Sequence, residues 1–278
     1  AYQVVWTAIE KTLAKTGFDS LKDVAFAGAI LGYLNGLASL VDTYKKKGIS
    51  WTFPKINSEK ERELYFQNAV HPFLVDKEPM PNHVNLNSNP SLYVIAGANN
   101  GGKTTYLKMV GLLTLMSQIG APTPALEARV TPVQHIYTHF PKAESVLSGK
   151  GKFVDELERL KFILEHADRA SLVLLDEPCA GTSNEDSIEV SMDLIRGLQK
   201  IGSPTLYSTH LHEIQTRVND NGKEYPHCVN LNAETKGTES NPVFTHRIRE
   251  GTAGRSYGTI YARQILPVEQ ILQKRGIK

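Results

Sequence analysis

The stretch Gly97–Thr105 reads GANNGGKTT, between the apolar run SLYVIA (91–96) and YLKMVGLLTLMSQIG (106–120). Gly97, four residues, then Gly102, Lys103 and Thr104 fit the P-loop pattern, whose backbone N–H groups wrap phosphate oxygens. Gly97, Gly101 and Gly102 permit that close wrapping, because glycine has no side chain and tolerates positive φ. With them, Asn99, Asn100 and Thr105 complete the expected nucleotide-contacting set. Lys103 is expected to reach the β and γ phosphates as a point charge, and the Thr104 hydroxyl to sit on Mg²⁺. The flanks agree with this: SLYVIA (91–96) is an apolar run of strand type, and 104–119 is apolar on nearly every side, as for a helix buried against a sheet. Gly120 and Pro122 then stop the helix, whose positive end faces the anion.

The bulk composition narrows the rest. At 278 residues with 41% hydrophobic content the chain is globular, with room for one large domain or two small ones. Lys and Arg number 31 against 29 acidic residues, so a net charge of +2 gives no electrostatic footprint for nucleic acid. Cys179 and Cys228 form no metal spacing and read as reduced thiols, which points to a cytoplasmic or nucleoid-associated protein. The chain opens at Ala1 with neither a methionine nor a signal peptide, as expected for a piece of something longer. Val24–Val41 carries no charge, and Gly28, Gly32 and Gly36 recur every four residues; the reading preferred over a membrane span is a helix that another element approaches closely.

Along the chain, helices are expected up to about residue 47, with turns near Gly17 and Lys45. An irregular stretch follows from Trp51 to Pro90, in which HPFLV (71–75) is a strand candidate. HIYTHF (135–140), SLVLL (171–175) and PTLYSTH (204–210) are further strand candidates, and helices are expected over 152–170 and 187–200. Residues 229–233 and 243–249 read as a hairpin joined by ETKGTESNP. Strands alternating with helices around a P-loop indicate an α/β sheet with the ligand at the strand ends.

Two further sites sharpen the chemistry. SLVLLDEP (171–178) delivers Asp176 to the edge of a buried sheet, where it can hold Mg²⁺ with Thr104. Glu177 directly after it can polarise an attacking water, which implies hydrolysis rather than transfer to a hydroxyl. LYSTHLHEI (206–214) places His210 after another strand, from which an imidazole could donate to the γ phosphate; His212 is the second candidate. The order of P-loop, strand with Asp-Glu, then strand with His is that of ABC-class ATPases.

These residues resemble one branch of that class, the MutS family of DNA-repair ATPases. GANNGGKTTYLK is similar to its P-loop, LLDEPCAGTSNEDS to its acidic strand and Gly-Thr-Ser loop (Gly181, Thr182, Ser183), YSTHLHEI to its switch-histidine segment, and Gly251–Gly258 to its C-terminal G-A-x-x-S-Y-G stretch. The likeness runs from about His71 to the end. The fold it implies is α/β, a P-loop NTPase of ABC/MutS type with a mixed sheet flanked by helices, over 51–278. A small helical layer over 1–50 resembles the base of the family's lever. The resemblance further implies ATP and Mg²⁺, and a homodimer in which each subunit closes the other's ATP site. The partner-facing segment is then VLSGKGKFVDEL, with Ser148, Gly149 and Gly151 pointing across. DNA is expected to be engaged through segments this chain lacks, and no membrane is expected.

Two departures stand out. Gly151 and Lys152 take the places of the family's Ser and Thr, which leaves Ser148 for the hydroxyl role, and Pro79-Met80 precedes Pro81-Asn82 where an aromatic residue usually stacks on adenine; a methionine can adapt to a flat ring. The competing readings are the ATP-binding subunit of a membrane transporter, for which the stretch between Lys103 and Asp176 is short, and an ATP-dependent dimerisation switch with little turnover.

Overall fold

The computed structural model describes residues 21–87, 89–141, 151–238, 241–253, 266–268 and 271–272. Its centre is a mixed six-stranded sheet built from β4 (Leu92–Ala96), β6 (His135–His139), β7 (Ser171–Asp176), β8 (Thr205–Thr209), β9 (Cys228–Thr238) and β10 (Asn241–Glu250), in the order β10-β9-β4-β8-β7-β6. Every pair is parallel except the β9–β10 hairpin. Each residue of β4, β7 and β8 is buried, which explains why these strands read as unbroken apolar runs.

Alternate side chains feed two cores. Tyr93, Ile95, Leu172, Leu174 and Leu206 face α2 (Lys103–Gln118), and Leu92, Val94, Val173, Leu175 and Tyr207 pack with residues of α3 (Lys152–His166), α4 (Asn184–Ile201) and α5 (His212–Asp220). Helix α2 buries Tyr106, Leu107, Val110 and Leu113 at helical spacing and leaves Leu115 outside, so it is amphipathic rather than buried all round. Ser183 caps α4 by accepting from the Asp186 N–H at 3.2 Å, so the helix starts three residues earlier than its apolar pattern predicts. Helix α3 ends at His166, short of the expected 170, and α5 has no counterpart among the expected helices.

A second sheet covers the outer side of α2, where an irregular stretch was expected. It is made of β1 (Lys55–Ile56), β2 (Leu64–Ala69), β3 (Asn82–Leu86) and β5 (Glu127–Val130), ordered β1-β5-β2-β3. Leu64, Phe66, Val84, Leu86 and Val130 join the same core as Tyr106 and Val110, and the Tyr106 hydroxyl donates to the His83 carbonyl at 2.9 Å. HPFLV is not a strand: Pro72–Lys77 form a 3₁₀ helix, because Pro72 suits the first helical turn and the His71 ring accepts from the Phe73 N–H.

At the N-terminal side α1 (Leu21–Lys46) is one continuous helix, anchored by the buried Tyr44 and by the Tyr33 hydroxyl donating to the Ile119 carbonyl. The helices and turn expected before residue 21 lie outside the described residues. No atom of the described residues comes within 4 Å of a Cβ built at Gly28, Gly32 or Gly36, so the close approach expected at that stripe is not made within this part of the chain. Among the described residues no helix is long and apolar enough to cross a membrane.

Candidate functional site

Because β4, β8 and β7 are adjacent and parallel, their carboxyl ends share one edge of the sheet, with Ala96 opposite Thr209 and Asp176 opposite Ser208. The next residues in sequence are Gly97, His210 and Glu177. Parallel pairing therefore gathers three segments that lie far apart in the chain.

The loop from Gly97 to Gly102 turns back over the end of β4. Gly97 takes φ 141 and Gly102 φ 95, and a Cβ on Gly97 would stand 2.9 Å from the Ala233 Cβ of β9, so glycine is required there on both counts. Gly101 is buried, and its N–H donates to the Ala98 carbonyl at 3.1 Å. A Cβ there would stand 2.9 Å from both the Ala233 Cβ and the Ala98 carbonyl oxygen, so the loop packs closely on β9 at this position. Asn100 is left-handed at φ 65, a conformation asparagine tolerates.

Asn99, Asn100 and Thr105 face outward, whereas Lys103 turns inward and is only 5% exposed. Its ammonium donates to the carbonyls of Gly97 at 2.8 Å and Ala98 at 3.2 Å and lies 3.8 Å from Glu177 Oε1. Burial lowers the Lys103 pKa, opposed by the charges of Glu177 and Asp176.

Thr104 Oγ1 lies 2.9 and 3.1 Å from the two Asp176 oxygens, and Ser208 Oγ donates to Asp176 Oδ1 at 2.6 Å. A buried carboxylate is thus held by hydroxyls of a neighbouring helix and strand. Glu177 sits at φ 48 with its N–H on the Ser208 carbonyl at 3.0 Å. His210 Nδ1 stands 3.7 Å from Glu177 Oε2. The facing His210, aided by Lys103 and opposed by partial burial, keeps the Glu177 carboxyl below its ordinary range. His212 opens α5 with its Nδ1 buried and without a hydrogen-bond partner among the described residues, and burial followed by the nearby Lys103 and His210 lowers its pKa.

Chemically, the arrangement offers a buried cation beside left-handed loop amides, a carboxylate–hydroxyl pair suited to a hard divalent ion, and a second, ionised carboxylate next to an imidazole. Among the described residues no group of three or more His, Cys, Asp and Glu could cage a metal; a hydroxyl and one carboxylate suit a cation that takes its remaining ligands from phosphate and water.

Of the residues expected from sequence, Lys103, Thr104, Asp176, Glu177 and His210 come together with Gly97 and Gly102. Ser148 and Gly149 lie outside the described residues, as does the C-terminal stretch from 254 to 265. Gly151 caps α3 in extended conformation, with no described residue within 4 Å of its Cβ position. The Met80 segment lies beside β10: Arg247 Nε reaches Met80 Sδ at 3.2 Å, and Asn82 bonds the His246 carbonyl at 2.9 Å and the Ile248 N–H at 2.8 Å. His246, at φ 56, is 3.5 Å from where a Cβ on Gly102 would be. Ser208 and His246 escape sequence reasoning because only strand pairing brings them to the loop.

A family model described as MutS domain V matches residues 93–276. The chain belongs to the MutS family. It is 32% identical over 255 residues to a DNA mismatch repair protein MutS of Fervidobacterium nodosum, covering 90% of this chain and 30% of that protein. It is 33% identical over 233 residues to the MutS of a Synechococcus strain, covering 83% and 25%, and 32% identical over 244 residues to that of Thermosipho melanesiensis, covering 86% and 28%. The chain thus spans about a third or less of these MutS relatives. A MutS assignment disfavours the transporter reading, which rested on general ABC features alone.

Proposed function

We propose that the chain is the ATP-hydrolysing part of a MutS-like DNA-repair or recombination protein, in which ATP binding closes a dimer and hydrolysis opens it. The observation that carries this reading is the meeting of Lys103, Thr104, Asp176, Glu177 and His210 on one sheet edge.

The residues divide the work. Lys103 exchanges the Gly97 and Ala98 carbonyls for β- and γ-phosphate oxygens, while the remaining loop amides cradle the chain of phosphates. Thr104 and Asp176 hold Mg²⁺, which when bound offsets phosphate charge. Glu177 is ionised at neutral pH and accepts a proton from the attacking water; His210 donates to the γ-phosphate oxygens. Met80 gives the base an apolar contact in place of a stacked ring. Ser148, Gly149 and Gly151 of a second copy close the site, and a cytoplasmic location fits the reading. DNA is engaged through parts of the longer relatives that this chain does not span.

The test is the sedimentation mass of Glu177→Gln with and without Mg-ATP, beside nucleotide binding by Lys103→Ala. Removing the water-polarising carboxylate stalls hydrolysis and traps the closed pair, so the mass is expected to double only with Mg-ATP. Lys103→Ala is expected to weaken ATP binding at least about tenfold, the scale of one lost charged contact. A nucleotide-bound monomer would remove the dimer from the account, and undiminished binding by Lys103→Ala would remove the phosphate site.

A further inference from the structure

Beneath the segment that carries Glu177 lies a buried, hydrogen-bonded His–Glu pair that the reaction as described does not use. His139, at the end of β6, is 2% exposed, and Glu156, in the first turns of α3, is 7% exposed. Glu156 Oε1 meets His139 Nε2 at 2.9 Å and also accepts the Cys179 N–H at 3.0 Å. The loop closes over the same carboxylate from its other side: a Cβ on Gly181 would stand 3.4 Å from Glu156 Oε2 and 3.5 Å from the Phe153 Cβ. Residues 153 and 156, one helical turn apart, therefore grip the loop between them.

That loop is unusual in its backbone. Glu177 and Cys179 are both left-handed, at φ 48 and φ 67, although neither is glycine. Such conformations persist only where their surroundings hold them. The Cys179 N–H is buried, and Glu156 is its acceptor. Burial raises the Glu156 pKa, but the His139 ring, the Cys179 N–H and Arg159 outweigh it, so the carboxylate is ionised and a strong acceptor.

We propose that Glu156 is a positioning residue that fixes Glu177 relative to the start of α3, by holding the Cys179 amide and the His139 ring on one carboxylate oxygen. The inference rests on the reading of Glu177 as the water-polarising group. Its consequence is directional: any displacement of the start of α3 is passed toward Glu177 through the hydrogen bond that Glu156 accepts from the Cys179 N–H.

The test compares Glu156→Gln, which keeps an acceptor oxygen, with Glu156→Met, which keeps the volume and removes it. Single-turnover ATP hydrolysis, ATP affinity and hydrogen exchange of the 177–183 segment without nucleotide are measured on each. Glu156→Met is expected to lose about ten- to a hundredfold in rate with affinity changed less than about threefold, while Glu156→Gln stays within about threefold of the unaltered chain. Exchange over 177–183 is expected to accelerate in Glu156→Met alone. An unchanged rate and exchange in folded Glu156→Met, or equal losses in both variants, would overturn the proposal. If the unaltered chain hydrolyses no ATP, the ATPase reading fails, and the exchange comparison still decides whether Glu156 holds the loop. Should Glu156→Met not fold, His139→Leu keeps the Cys179 bond and is expected to lose rate several-fold and to loosen 177–183; no change there would equally overturn it.

Discussion

Gly97 carries two constraints at once, a left-handed backbone and a neighbour 2.9 Å from where its Cβ would be, whereas Gly151 has φ −63 and no described neighbour within 4 Å of that position. Gly97→Ala is therefore expected to cost about 1–3 kcal/mol in urea unfolding, and Gly151→Ala to cost nothing or to stabilise slightly. Equal effects would show that the loop geometry is wrong. The thiols make a pH prediction. Burial pushes Cys179 and Cys228 up to about 12 from an ordinary value of 9.0. Both stay neutral in the fold at pH values where the unfolded chain ionises, so their contribution is full below about pH 9 and is lost as pH rises from there toward 12. Stability should fall above pH 9, by at most about 1.4 kcal/mol per pH unit for each thiol, and less steeply in Cys179→Ala. Native thiols should also resist alkylation at pH 8; a slope unaffected by removing Cys179 would contradict this. At this scale residue type and spacing single out Lys103, Thr104, Asp176 and Glu177, and the fold brings those four together. Glu156 and His139 are illegible, because nothing near either one in sequence tells a buried hydrogen-bonded pair from two surface polar residues.

At the scale of elements, the strands that reveal themselves are those buried on both faces, since their apolar runs need no partner to be recognised. The outer sheet hides because each strand there is short or half polar. LYFQNA bends at the left-handed Asn68, and NHVNL offers only Val84 and Leu86 to the core. Their strand character comes from pairing, Tyr65 lying opposite both Asn85 and Arg129, which are distant in sequence. HPFLV shows the converse, a short apolar run whose capping histidine and proline decide for a 3₁₀ helix. The close packing of α2 on β7 makes its own prediction. A Cβ on Gly111 would lie 2.8 Å from Leu174 Cδ1. Leu174→Ala should cost about 2–5 kcal/mol, and Gly111→Ala should destabilise alone yet cost less in the Leu174→Ala background, where the clash is gone. Strict additivity in urea unfolding would mean that the helix does not sit against this strand as described.

At the scale of the molecule, the candidate site lies on one sheet edge, and that edge exists because β4, β8 and β7 run parallel. The alternation of helix and strand along the sequence implies as much. The covering sheet, and the way α1 meets the body through Tyr33 and Tyr44, depend on long-range contacts that no local pattern encodes. The chain spans about a third or less of the MutS relatives it matches. Hydrolysis at Glu177 is the function proposed for this edge. The direct measurement is single-turnover ATP hydrolysis by the unaltered chain and by Glu177→Gln, with ATP binding followed on the same samples. Mg²⁺-dependent turnover is expected in the first, and in the second unimpaired binding with a rate lower by at least about a hundredfold. Hydrolysis by Glu177→Gln at the unaltered rate, or a chain that binds no ATP, would contradict it.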